Sequence, residues 1–217
     1  MDYVLAGATG LVGTEVLRQL AKAAQNRVFC LGRRAPEVSG PSIHFVEWDF
    51  ERPIQWPGEK PKNPHAICTL GTTIKKAGSQ EEFRRVDLEF VIQFGREMQK
   101  QGAQSLHVVT AHGASASSVI FYNRVKGQVE QQLSQLGLPA LHIYRPSLLL
   151  GHRREHRAGE GAATVIAKLL SPVFKLPGLN NVEPTPADRL AQFILRQCSA
   201  GKTGELIHSN YEILHGS

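Results

Sequence analysis

The stretch Asp2-Tyr-Val-Leu-Ala-Gly-Ala-Thr-Gly-Leu-Val-Gly13 places three glycines between an apolar run and a helical pattern. Residues 2–6 predict a β-strand, and the spacing of Leu and Val over residues 11–20 predicts a helix. Glycines permit a tight turn, let a pyrophosphate approach the backbone and let the helix pack against the strand. The helix N-terminus adds free N–H groups and a partial positive charge. We therefore predict a dinucleotide-binding turn, with a ligand-free turn as the alternative; the expected contacts are Gly7, Thr9, Gly10, Leu11, Val12 and Gly13.

Apolar β-rich runs alternate with helical patterns along most of the chain. Further strands are expected at residues 27–31, 43–47, 65–70, 105–109 and 140–144, with helices at 79–102 and 122–136. This alternation predicts an α/β fold, a doubly wound, mainly parallel Rossmann sheet of about six to seven strands.

We expect one domain over residues 1–217, in which residues 151–217 form a small extension on the substrate side. That extension is predicted to contain helices near 160–170 and 186–197 and a strand near 204–208. The pattern leaves open whether residues 160–180 act as a lid.

The composition is that of an ordinary globular protein. Of 217 residues, 41% are hydrophobic and 20% are charged, which excludes a disordered chain. No stretch approaches the roughly 20 apolar residues of a membrane span, and Asp2 without a basic segment argues against a signal peptide. Three widely spaced cysteines predict buried, reduced thiols in a cytoplasmic protein.

The net charge of +6 fits an anionic small ligand. Nucleic-acid binding is disfavoured because the basic cluster at residues 153–157 contains an acid and lacks interleaved aromatic residues. The histidines show no zinc-type spacing, so no metal site is predicted. A protein partner or a homodimer stays open.

Gly32-Arg33-Arg34 follows the second strand, where an NAD site usually has Asp or Glu for the ribose 2′-hydroxyl. Two guanidinium groups suit a 2′-phosphate, so NADP(H) is predicted over NAD. The alternative is a solvated basic loop. Asp49 after the third strand is expected either at the adenine ring or in a surface turn. The segment after the fourth strand is expected at the ligand-binding edge of the sheet: Leu70, Gly71 and Thr72.

Tyr122 and Lys126 are spaced i, i+4 on a predicted helix and so share one face. A nearby ammonium is expected to lower the tyrosine pKa from its reference value of about 10, towards the range useful for proton transfer. The lysine can also hold a nicotinamide ribose. The alternative is an amphipathic helix with a buried ring and a solvated lysine. The hydroxyl that would polarise a carbonyl is expected from Thr110, with Ser115, Ser117 and Ser118 as alternatives.

Several segments together resemble the atypical short-chain dehydrogenase/reductases, and within them the Tat-interacting-protein-like group of oxidoreductases. These segments are Gly7–Gly13, Cys68–Thr73 with Lys76-Ala-Gly78, Arg85-Val-Asp87, Tyr122-x-x-x-Lys126-Gly127-x-Val-Glu130 and Arg145–Gly151. The resemblance implies NADPH bound across the carboxyl ends of the strands and a Ser-Tyr-Lys type centre with Thr110 at the serine position. It also implies that Pro146 and Ser147 pass the nicotinamide, and that Asp87 stands where larger relatives use Asn to hold a relay water.

The leading hypothesis is therefore an NADP(H)-dependent oxidoreductase that transfers hydride to or from a small carbonyl or alcohol, with Tyr122 as the acid or base. The alternative is a redox sensor or scaffold that binds NADPH without turnover. The sequence names neither the substrate nor the direction of reaction.

Overall fold

The computed structural model describes residues 1–151 and 183–216. The main strands are β1 Asp2–Ala6, β2 Arg27–Gly32, β3 Ile43–Glu47, β4 His65–Cys68, β5 Ser105–Val109, β6 Ala140–Arg145 and β9 Gly204–Ser209, and a short pair consists of β7 Leu149–Leu150 and β8 Thr185–Pro186. The helices are α1 Leu11–Leu20, α2 Ile74–Ala77, α3 Gln80–Arg84, α4 Phe90–Lys100, α5 Phe121–Ser134, α6 Ala187–Ala200 and α7 Asn210–His215.

The main sheet has seven strands in the order β3-β2-β1-β4-β5-β6-β9, and every neighbouring pair is parallel. Chain order reverses between β1 and β4, where the two halves of the sheet meet. The predicted doubly wound α/β fold is therefore confirmed. β1, β4, β5 and β6 are buried almost throughout, because helices cover both faces.

Alternate residues of each strand enter different cores, as the two-residue period of a strand requires. On one face Val4, Ala66 and Val108 pack with Phe83, and α4 and α5 supply much of the remaining core. On the other face, Leu5 packs with residues of α1 and α6, including Val16 and Leu190. The central strands thus form a rigid base for the loops at their carboxyl ends.

The predicted helix over residues 79–102 is interrupted by a π-helical turn at Arg85–Glu89. Its start agrees with the sequence, since Ser79 caps α3 by accepting a hydrogen bond from Glu82 N at 3.1 Å. A π turn inserts one residue into the helical repeat and is often found at functional sites. Here the turn contains Asp87, which is 1% exposed.

The carboxyl-terminal segment adds β9 to the main sheet beside β6, and α6 packs against α1. The strand predicted near 204–208 and the helix predicted near 186–197 are both present. The expected helix near 160–170 and the possible lid at 160–180 lie outside the described residues. Within residues 1–151 and 183–216, no helix is both long and apolar enough to cross a membrane.

Candidate functional site

The glycine-rich turn after β1 is built by close packing around Gly7 and Gly13. Gly7 has a φ of +88°, and a Cβ there would lie 2.7 Å from the backbone of Thr69. A Cβ at Gly13 would lie 2.1 Å from Gly7 O. At Gly10 the nearest atom would be 3.2 Å away. Gly7 and Gly13 are therefore required by the fold, whereas the bare backbone at Gly10 leaves room for a ligand.

The first turn of α1 offers unused backbone donors. Gly10 is its N-cap residue and has no side chain to accept the N–H groups that follow it. Nothing acidic lies in the first turn of the helix. The N–H groups and the positive end of the helix dipole therefore face the cleft as an anion site.

A cleft of about 620 Å³ runs along the carboxyl ends of the strands. It brings together nine of the predicted cofactor-binding residues: Gly7, Thr9, Gly10, Leu11, Arg33, Arg34, Leu70, Gly71 and Thr72. Val12 and Gly13 lie behind the turn as buried residues. The volume lies within the range of roughly 300–1,000 Å³ that small-molecule and cofactor sites occupy.

Basic side chains stand at the end of this cleft beside β2. Arg33 and Arg34 are both exposed and line it. Arg18 of α1 also lines it, and its guanidinium pairs with Glu15 at 2.5 Å. Arg18 was not predicted from the sequence; it lies on the helix that follows the glycine-rich turn.

Asp49, by contrast, belongs to a turn of its own. Its Oδ1 accepts hydrogen bonds from Glu51 N at 2.9 Å and Arg52 N at 3.2 Å. Phe50, with a φ of 67°, turns its ring into the core next to Trp48 and Phe90. Of the two interpretations of Asp49, the surface turn describes its contacts in this structure.

A buried ion pair lies directly behind the cleft. Lys126 Nζ of α5 is 2.7 Å from Asp87 Oδ1, and the two side chains are 5% and 1% exposed. Asp87 Oδ2 accepts a hydrogen bond from Thr72 N at 2.7 Å. A Cβ on Gly71 would lie 3.4 Å from Asp87 Oδ1 and 3.9 Å from Lys126 Nζ. Gly71 lines the cleft and has no side chain, so little more than its backbone lies between the ion pair and the cleft.

Tyr122 lies one helical turn before Lys126, whose Nζ is 6.0 Å from the centre of the tyrosine ring. The ring also packs against Phe83, with centroids 5.8 Å apart. Burial raises the pKa of Tyr122, and Asp87 adds to that rise while Lys126 opposes it. The ammonium of Lys126 acts on this pKa in the predicted direction, but burial outweighs it and Asp87 adds to the rise. The pKa of Lys126 is itself raised: burial lowers it, but Asp87 and Tyr122 outweigh that effect.

Thr110 lies at the end of β5, 5% exposed, and its hydroxyl is used inside the fold. Thr110 Oγ1 donates to Glu130 Oε1 at 2.7 Å and lies 3.1 Å from Tyr144 O. Glu130 in turn binds Arg145 through both carboxylate oxygens, at 3.1 and 2.5 Å. The hydroxyl assigned to a substrate carbonyl is thus already bonded to a carboxylate.

The alternative serines follow on the loop before α5. Ser115 Oγ and Ser117 Oγ lie 3.1 Å apart, and Ser118 Oγ accepts from Ile120 N at 3.2 Å. The loop packs tightly on α5, because a Cβ on Gly127 would lie 2.1 Å from Ala116 N and from the carbonyl carbon of Ser115. Close packing therefore fixes this serine loop against the helix that holds Tyr122 and Lys126.

Pro146 and Ser147 follow β6 and are held from both sides. Pro146 O accepts a hydrogen bond from His112 N at 2.8 Å. Ser147 N lies 3.1 Å from both Thr185 Oγ1 and Asn210 Oδ1, which belong to the carboxyl-terminal segment. That segment thus positions the backbone that the resemblance places beside a nicotinamide.

The three cysteines, Cys30, Cys68 and Cys198, are buried free thiols, as the sequence predicts. Burial raises the pKa of the Cys30 and Cys68 thiols to about 12. These thiols are therefore protonated at neutral pH.

Curated relatives cover most of the chain. "Protein FMP52, mitochondrial" from Meyerozyma guilliermondii is 33% identical over 181 residues, which are 82% of this chain and 78% of that protein. "Protein HTATIP2" from Rattus norvegicus is 31% identical over 161 residues, covering 72% of this chain and 66% of that protein. No protein-family model matches the chain.

Solved structures share the fold at low sequence identity. MoeE5, solved in complex with UDP-glucose and NAD, superposes with a TM-score of 0.68 at 12% identity, covering 96% of this chain and 75% of that one. The same architecture is found in a UDP-galactose 4-epimerase, with a TM-score of 0.70.

The fold and the glycine-rich cleft define a Rossmann protein of the short-chain dehydrogenase/reductase class, as the resemblance implied. Within that class the chain belongs to the FMP52 family, and HTATIP2, the Tat-interacting protein, is a homologue.

The expected cytoplasmic location is wrong. Relatives from several fungi, including Candida albicans and Emericella nidulans, carry the name FMP52, mitochondrial. The prediction rested on reduced cysteines and a missing signal peptide, and neither distinguishes the cytoplasm from an organelle interior.

Proposed function

We propose that the protein is an NADP(H)-dependent oxidoreductase that moves hydride to or from a small carbonyl or alcohol. The observation that carries the proposal is the cleft where a glycine-rich anion site and two arginines meet, with the buried Lys126–Asp87 pair directly behind it. A nicotinamide coenzyme, when bound, supplies or accepts the hydride.

The chain's residues fit such a coenzyme from end to end. Gly10 leaves the backbone bare where a pyrophosphate would approach, and α1 supplies N–H donors. Arg33 and Arg34 would bind a 2′-phosphate by charge-assisted bonds. Thr72, which lines the cleft, and Lys126, which lies behind Gly71, would hold the nicotinamide ribose.

In the reductive direction, Tyr122 would give its phenolic proton to the carbonyl oxygen as hydride reaches the carbon, which leaves an alcohol and a tyrosinate. Lys126 would then stabilise the tyrosinate, and a proton from solvent would restore the phenol. The raised pKa of Tyr122 keeps it as the phenol at neutral pH, the form that can donate a proton in the reductive direction. Thr110 would act through Glu130 and Arg145 to hold the segment at Pro146.

A second candidate is an NADPH-binding sensor or scaffold without turnover. The hydroxyl of Thr110 already donates to Glu130, which favours this candidate. The next residue, Ala111, has no hydroxyl that could take its place. Asp87 compensates the charge of Lys126, which also favours a protein without turnover.

The test starts with calorimetric titration of the purified chain with NADPH and NADH, followed by NADPH oxidation with a panel of small aldehydes and ketones. Tyr122→Phe should keep NADPH affinity and lower kcat roughly 10²–10⁴-fold, the usual contribution of a general acid. Thr110→Val should change kcat less than about tenfold, since it removes one internal hydrogen bond. Binding without turnover on any substrate would favour the sensor. Turnover unaffected in Tyr122→Phe would remove Tyr122 as the acid.

The names of the FMP52 relatives also support a mitochondrial location for this protein. Subcellular fractionation of the source cells with an antibody to the chain would test it, and recovery only in the soluble cytoplasmic fraction would contradict it.

A further inference from the structure

Four histidines from neighbouring strands form a row within the sheet, and three of their rings are stacked. They are His65 on β4, His107 on β5, His142 on β6 and His208 on β9. The rings of His107 and His142 are 4.5 Å apart, and those of His142 and His208 are 5.3 Å apart. His65 is the first residue of β4, so the row begins at the end of that strand opposite the coenzyme cleft.

Cys198 of α6 joins one end of this row. One ring nitrogen of His65, one of His107 and the Cys198 sulfur all lie within 4.8 Å of one another. The three residues are 6%, 0% and 2% exposed. The tertiary structure therefore gathers two imidazoles and a thiol that sequence spacing did not connect.

The surrounding hydrogen bonds orient the two rings. His65 Nδ1 lies 2.7 Å from Ser105 Oγ, and His107 Nδ1 lies 2.8 Å from Tyr144 Oη. His107 Nε2 lies 2.9 Å from Ser105 Oγ. Within the part of the chain that the structure describes, His65 Nε2 has no hydrogen-bond partner and Cys198 Sγ bonds to no other residue. Among the described residues, His65 therefore keeps one ring nitrogen without a hydrogen bond, and the Cys198 sulfur is not held by another side chain.

We propose that His65, His107 and Cys198 form a binding site for a divalent transition-metal ion, Zn²⁺ by chemistry. Two imidazole nitrogens and a thiolate are a donor set that Zn²⁺ accepts, with a fourth position left for another ligand. Metal binding would displace the thiol proton to solvent and replace one of the two hydrogen bonds that the ring nitrogens of His107 make. The hydroxyl group on the other nitrogen of His107 would remain as the outer partner that fixes its ring.

Such a site would join α6 to the sheet, because Cys198 lies near the end of α6 whereas the histidines lie on β4 and β5. Binding to the folded state alone would raise stability by mass action. The proposal is independent of coenzyme binding and turnover.

The experiment uses the full chain, stripped with chelator, and Co²⁺ as a spectroscopic substitute for Zn²⁺. The metal is added to the folded protein and, separately, during refolding from denaturant, so that slow entry into a buried site does not hide binding. We expect one Co²⁺ per chain, with visible absorption bands typical of Co²⁺ in a site of low symmetry. A near-ultraviolet thiolate-to-metal charge-transfer band should also appear, and added Zn²⁺ should abolish it. Zn²⁺ should also raise Tm.

Cys198→Ala should lose the thiolate band and the Zn²⁺ effect on Tm, and His65→Gln should weaken both. Cys30→Ala is the matched control, because Cys30 is equally buried but outside the cluster, and it should behave like the wild-type chain. Circular dichroism confirms that each variant folds. Absence of the band under both loading conditions would overturn the proposal, as would a band that persists in Cys198→Ala. The cluster would then be a neutral hydrogen-bonded network.

Discussion

The Asp87 carboxylate and the Lys126 ammonium form a buried ion pair, 2.7 Å apart, behind the backbone of Gly71. The pair links the π-helical turn to α5, and Thr72 N also donates to Asp87. It therefore couples the loop that lines the cleft to the helix that carries Tyr122.

The losses of stability on removing the two partners of this pair should not be additive. Asp87→Asn or Lys126→Met alone leaves the other group in an apolar site, which typically costs about 3–5 kcal/mol. In the double variant we expect the loss to fall short of the sum of the single losses by at least about 1 kcal/mol. Urea unfolding of the four proteins measures this coupling. Strict additivity would show that the two charges do not interact.

The arginines after β2 should decide coenzyme choice. A hydrogen bond to a charged group contributes about 1.5–3 kcal/mol. Arg33→Ala and Arg34→Ala should therefore each weaken NADPH binding roughly 10- to 100-fold, with little change for NADH, which lacks the 2′-phosphate. Arg52→Ala, an exposed arginine that does not line the cleft, is the control. Equal losses for the two coenzymes would contradict a 2′-phosphate site.

Two glycines of the first loop should respond differently to a methyl group. Gly13→Ala places a Cβ 2.1 Å from Gly7 O, so we expect a loss of stability of about 1–3 kcal/mol from overpacking. Gly10→Ala meets its nearest atom at 3.2 Å and should fold with a smaller loss. It should nevertheless lose coenzyme affinity, because the methyl would occupy the pyrophosphate approach. Thermal denaturation and calorimetry separate the two effects. Full NADPH affinity in Gly10→Ala would place the phosphates elsewhere.

The stability of the protein should fall in mild acid. Burial lowers the pKa of His208 to about 4, and the neighbouring His142 and Lys202 act in the same direction while Glu212 opposes them. The unfolded chain takes up this proton near pH 6.5. His208 therefore stabilises the fold fully above that pH, and the contribution is lost as pH falls towards 4, at up to about 1.4 kcal/mol per pH unit.

His208→Asn should flatten this pH dependence of Tm between about pH 6.5 and 4, the unfolded and folded pKa values. The exposed His44→Gln should retain the wild-type slope. An unchanged slope in His208→Asn would show that other groups cause the acid sensitivity.

The sequence alone determined the fold class and the first half of the cleft. Strand and helix periods are local, and the glycines of the first turn are dictated by backbone conformation and contacts close along the chain. The start of a helix at Ser79 could also be predicted, because its capping partner is only three residues away along the chain. The π turn was not, since one extra residue in a helix leaves the apolar stripe nearly unchanged.

Only the tertiary structure decided the electrostatics of the site. The i, i+4 spacing placed Tyr122 beside Lys126, but the pKa of the tyrosine is raised first by burial, and Asp87 of the π-helical turn adds to that rise. Thr110 likewise looked free until Glu130, on α5, accepted its hydroxyl. The cluster of His65, His107 and Cys198 likewise forms only when α6 packs against the sheet. Interactions between charges and donors depend on distance in space, and residues far apart along a chain acquire that distance only when the sheet and its helices pack.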